Sequence, residues 1–170
     1  TYNLEFPNIS GEMFDCFDIE KFLERAKIVS PKIYELTSGE YLLLKMILNK
    51  DFDESYQKIK KLLFDMVDKK HSSYNTIFTL NCINTVMFNA MDNEPFERIQ
   101  QTAEKSIPLM DFYLKKKLYK KIYMRLPIIN FCGFLNNAAI ARKYDWMKEF
   151  IENYTVELSN EDKEFGINFG

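Results

Sequence analysis

Apolar positions recur along the chain at spacings of three and four, and no run alternates with period two, so the pattern predicts helices throughout. After an irregular opening marked by Pro7, Ser10 and Gly11, Asp18 is placed to cap a short helix carrying Ile19, Phe22, Leu23 and Ala26. Ser30-Pro31 sets a cap residue before a proline at the first helical position, and the helix it opens runs toward Asn49. Tyr41, Leu42, Leu43, Leu44, Met46, Ile47 and Leu48 make that helix apolar nearly all round, as expected of one sandwiched between others. Ser38-Gly39 is expected to break or kink its first part, because glycine costs about 1 kcal/mol against alanine in a helix interior.

Asp51-Phe52-Asp53-Glu54 has the form of a capping box, followed by Tyr56, Ile59, Leu63 and Met66 on one face. A turn is expected around His71-Ser72-Ser73, then a long helix bearing Ile77, Leu80, Ile83, Val86, Met87 and Ala90. Asn93 is the expected cap of the next helix, whose stripe is Phe96, Ile99, Ala103 and Ile107 and which Pro108 is expected to end. Leu109 to Arg125 fits either a helix or a helix plus loop. Pro127 opens another helix through Phe131, Leu135 and Ala138, and Asp145 is the expected cap of one bearing Trp146, Met147, Phe150, Ile151 and Tyr154. Ser159-Asn160-Glu161-Asp162 reads as a further start.

Starts near 31, 72 and 127 each lead a first helix, and starts near 51, 93 and 145 lead its partner. The spacing of about 40 to 55 residues per pair lies in or slightly above the range of helical repeats. One hairpin cannot hide its own apolar faces, so neighbours must stack. The expected fold is all-α, a right-handed α-solenoid of stacked antiparallel hairpins. Residues 1–17 are expected to be irregular and residues 18–170 to form the repeat domain, a fragment of a longer solenoid.

Asn136 to Trp146, with small residues late in one helix and an aromatic-acid turn, is followed by Met147 to Tyr154. This phrase resembles the tetratricopeptide-like repeats of large bacterial helical-repeat proteins, and Asn81-Cys82-Ile83 and the Phe96 to Ile107 stripe are similar to them as well. The resemblance spans about residue 18 to the end and implies a scaffold for protein or peptide partners. A standard unit carries a glycine inside its first helix; only Gly133 sits comparably, and the helix from Tyr74 to Ala90 has none.

Composition narrows the chemistry. The 170 residues are 46% hydrophobic and include 15 Phe and 10 Tyr but only 5 Gly and 5 Pro, which excludes a disordered or collagen-like chain. Net charge is −2, so binding to nucleic acid through overall charge is not expected. Cys16, Cys82 and Cys132 are too few and too dispersed for a disulfide scaffold or a CxxC metal site and suit a cytoplasmic setting, with Cys82 and Cys132 expected to pack as small hydrophobes. No apolar run approaches a membrane span. His71, the only histidine, reads as an exposed turn residue; no second histidine, HExxH motif or glycine-rich phosphate loop accompanies it. Carboxylates such as Asp53/Glu54 and Glu161/Asp162 fall at helix starts, where capping and the helix dipole account for them. Neither enzyme activity, metal nor cofactor is therefore expected.

One segment departs from this balance. Asp111 to Arg125 holds six basic residues and one acid, a local +5 that leaves −7 for the rest. Tyr113, Lys116, Tyr119, Lys120 and Tyr123 interleave rings with cations and are the candidate partner-binding residues. Two readings follow: a strip for stacking bases and binding phosphate across Lys115 to Arg125, or an amphipathic face whose tyrosines pack inward while lysine stems lie over them. The expected function is a non-enzymatic protein- or peptide-binding scaffold, with nucleic-acid binding through Lys115 to Arg125 as the alternative.

Overall fold

A computed structural model describes residues 18–48, 52–67, 73–91 and 95–167. It contains eight α-helices and no strand among the described residues, so the all-α expectation holds. They are α1 (Ile19–Val29), α2 (Pro31–Ile47), α3 (Phe52–Val67), α4 (Ser73–Met91), α5 (Phe96–Lys115), α6 (Ile128–Ile140), α7 (Tyr144–Tyr154) and α8 (Asn160–Ile167), with short 3-10 turns at Leu118–Lys121 and Thr155–Glu157. The chain forms two compact units, Thr1–Leu62 and Leu63–Gly170.

In the first unit the Asp18 carboxylate accepts from the Lys21 backbone N–H at 3.0 Å, the expected N-cap of α1. Ser30 alone separates α1 from α2; Pro31 occupies the first turn of α2 while the Ser30 side chain makes no cap bond. The chain doubles back there. Glu20, near the start of α1, accepts from the Tyr41 hydroxyl at 3.2 Å and lies 3.8 Å from the Lys45 ammonium, both late in α2. The partner of α2 is thus α1. Leu23, Ala26, Leu43 and Met46 are buried, whereas Phe22, Ile33 and Ile47 are exposed, so α2 is not covered all round. Nor does Ser38-Gly39 break it: Gly39 is buried in a continuous helix, which also accommodates the bond from the Ser38 hydroxyl to the Glu35 carbonyl at 3.2 Å. Tyr56 and Ile59 of α3 are buried at the expected spacing.

In the second unit α4 packs on α5, α5 on α6 and α6 on α7. The buried face of α4 is Thr76, Phe78, Thr79, Cys82, Ile83 and Val86, while Ile77 points to solvent, a rotation from the expected stripe. The Thr76 hydroxyl donates to the Leu118 carbonyl at 2.8 Å, which lets a polar side chain sit on a buried face. Helix α5 does not end at Pro108 but runs on to Lys115. An interior proline costs about 3 kcal/mol, and full burial of one large apolar side chain returns about 1.5 to 3 kcal/mol. The turns beyond it bury Leu109, Met110, Tyr113 and Leu114, enough to carry the helix through.

Antiparallel packing of α6 on α5 is fixed by polar contacts at both ends. The Asn130 amide donates to the Tyr113 hydroxyl at 3.4 Å, and the Asn137 amide donates to the Ala103 carbonyl at 3.2 Å and to the Ser106 hydroxyl. Helix α7 begins after Lys143, so Asp145 lies in its first turn and is not its cap. The Ser159 hydroxyl accepts from the Asp162 N–H at 3.0 Å and starts α8 as expected. Asp51, His71 and Asn93 lie outside the described residues.

Candidate functional site

The basic segment is built where α5 stops. Lys117 takes the left-handed conformation (φ 50°, ψ 39°) and its N–H donates to the Leu114 carbonyl at 2.9 Å, ending the helix without a glycine. The 3-10 turn Leu118–Lys121 then brings Leu118 and Tyr119 into the core. Beyond it the chain is irregular but tied down. The Tyr123 N–H donates to the Tyr119 carbonyl at 2.7 Å, the Arg125 guanidinium to the Leu158 carbonyl at 2.8 Å, and the Leu126 N–H to the Glu157 carbonyl at 3.1 Å.

This architecture splits the five candidate residues. Tyr113 and Tyr119 have no exposed surface: their rings lie 6.0 Å apart, and Tyr113 meets Phe134 edge-on at 5.8 Å. Neither ring reaches the surface to stack on a base or a partner's side chain, in line with the reading in which the tyrosines of this segment pack inward. The spacing of six places both on the inner side because the left-handed residue and 3-10 turn reset the helical phase between them. Lys116, Lys120 and Tyr123 remain at the surface. Burial raises the Tyr113 and Tyr119 phenols well above their usual range, and the charge of Glu157 adds to the shift of Tyr119. The buried Tyr119 hydroxyl interacts with the Glu157 side chain.

Three of the six basic side chains are committed internally. Lys115 pairs with Asp111 at 3.1 Å, Lys120 with Glu157 at 2.8 Å, and Arg125 caps the Leu158 carbonyl. The hydrogen bond from Lys120 holds the Glu157 carboxyl below its ordinary range. Lys116, Lys117 and Lys121 are exposed and make no ion pair among the described residues.

Each unit carries a concavity of its own. In the first unit a groove of about 230 Å³ runs between α1 and α2, lined by Phe22, Arg25, Ala26, Val29, Ser30 and Ile33. Val29 is 75% and Ile33 51% exposed, and neighbouring Ile28 is 85% exposed. In the second unit a smaller cleft of about 120 Å³ opens between α5 and α7, beside Asp111, Lys115, Trp146, Glu149, Asn153 and Tyr154. Its wall is an aromatic column: Trp146 stacks on Phe150 at 5.0 Å, and Tyr154 follows at 5.4 Å. Asp111 accepts the Trp146 indole N–H at 2.8 Å, so its carboxylate joins α5 to α7. The sequence carried a signal for this column in the 146/150/154 spacing, but none for Asp111 as its partner.

Among the described residues no three His, Cys, Asp or Glu side chains are grouped to hold a metal ion. Cys82 is buried and Cys132 half-buried, and neither is joined in a disulfide. No helix of the described residues is long and apolar enough to cross a membrane. The chain matches no protein-family model, no curated protein and no solved structure.

Proposed function

We propose that the chain is a non-enzymatic module that binds a protein or peptide partner, built of stacked helical hairpins in the manner of a tetratricopeptide-like α-solenoid. The observation that carries this reading is the groove between α1 and α2, almost wholly apolar and lined by Phe22, Val29 and Ile33, which remain in water. Isolated exposed aliphatics are ordinary, but several around one groove mark a surface that gains by being covered. Arg25 at the rim supplies a charge to orient an acidic residue beside the apolar contacts. The doubled-back α1/α2 hairpin and the succession of α4, α5, α6 and α7 packing on their chain neighbours support the solenoid reading.

The nucleic-acid alternative is weakened by the burial of Tyr113 and Tyr119, which leaves Tyr123 as the one ring of the candidate set able to stack. Affinity capture with the full chain, repeated with Val29→Asp and Ile33→Asp, tests the proposal. Both positions are exposed, so the variants should keep the wild-type helical content. A partner peptide whose micromolar binding falls at least tenfold in both variants supports the reading. Absence of any saturable partner, or binding indifferent to both changes, overturns it.

A further inference from the structure

The segment Ile122–Met124 is unusual in what it exposes and how firmly it is held. Three consecutive large apolar side chains face water, with Met124 94% exposed. Ile129, the second residue of the following helix, is 76% exposed. A loose loop could fold such residues back, but this one is held by bonds from Tyr123, Arg125 and Leu126 to Tyr119, Leu158 and Glu157. Its flanks Tyr119 and Leu126 are buried. The tip is thus fixed outward, at a standing cost in hydration. In sequence it is bracketed by Lys116, Lys117, Lys121 and Arg125, with Lys120 paired to Glu157.

We propose that this tip docks the protein peripherally on an anionic lipid surface, Met124 entering the acyl boundary while Lys116, Lys117 and Lys121 meet the headgroups. The two halves of the pattern call for one occupant with an apolar interior beneath a negative face, which is what such a bilayer offers. A single-stranded nucleic acid would use the cations but gains little from Met124 and Ile129, and the tyrosines it would stack on at 113 and 119 are buried. A peptide partner favours a concavity, whereas a side chain with nearly all its surface free protrudes. The docking involves no spanning helix, in keeping with the helices described.

The test is co-sedimentation of the full chain with phosphatidylcholine vesicles, with and without phosphatidylserine, over a salt series. Its controls are Met124→Asp and the double change Lys116→Glu, Lys121→Glu. Circular dichroism establishes that each variant is folded, and Met124→Ser serves if the aspartate variant is not. The expected result is binding that requires phosphatidylserine, weakens with salt, and falls about tenfold or more on loss of either Met124 or the two lysines. No vesicle binding overturns the proposal. So does binding that ignores the Met124 change, which would be bare electrostatic adsorption, and so does preference for single-stranded RNA over vesicles.

Discussion

Asn137 shows how one buried polar side chain fixes a helix pair. It is 1% exposed, and its amide reaches both the Ala103 carbonyl and the Ser106 hydroxyl. Asn137→Ala removes those bonds and leaves a void, so it should cost about 1 to 3 kcal/mol in denaturant unfolding. Gly133 gives the opposite sign. A Cβ built there meets nothing within 4 Å, and no glycine of the described residues has a positive φ. It therefore serves no close approach of helices, unlike the glycine of the repeat it was compared with. Gly133→Ala should raise stability by about 0.5 to 1 kcal/mol, read as a higher unfolding midpoint. Either result with the other sign would refute the packing described at that position.

At the scale of elements, the helices lay open in the sequence more readily than their ends. Caps with a side-chain oxygen were readable, as at Asp18 and Ser159, because a local hydrogen bond decides them. The end of α5 was not, because a lysine stands where glycine is usual. Lys117 and Arg142 both adopt positive φ; behind Arg142 the Lys143 N–H reaches the Ala138 carbonyl at 2.9 Å, closing a Schellman turn. Holding a lysine in this region costs about 1 kcal/mol. Lys117→Gly should recover part of it and raise the unfolding midpoint, while Lys117→Val should lower it. Pro108 teaches the converse: a local stop signal yields when the next two turns have a core to enter.

For the whole molecule, buried phenols tie stability to alkaline pH. Burial pushes Tyr56 in the first unit up to about 12, and Tyr113 and Tyr119 in the second unit also lie above their ordinary value. A phenol whose pKa is raised on folding holds its proton more tightly in the native state. Its contribution is complete below the unfolded value and shrinks as pH rises toward the folded one. Thermal stability should therefore decline from about pH 10 to 12, with tyrosinate absorbance appearing on unfolding. Stability unchanged across that range would mean these rings are solvated.

The sequence by itself determined that the chain is helical and roughly where most helices lie, because hydrophobic period is a local property. Which tyrosines of the basic segment face inward, that α1 is the partner of α2, and that Ile77 lies outward were decided only in three dimensions. Side chains such as Tyr113 and Tyr123 are chemically alike. What separates them is the turn at Lys117 and the neighbours waiting across the core, and neither is encoded in the spacing of residues along one helix.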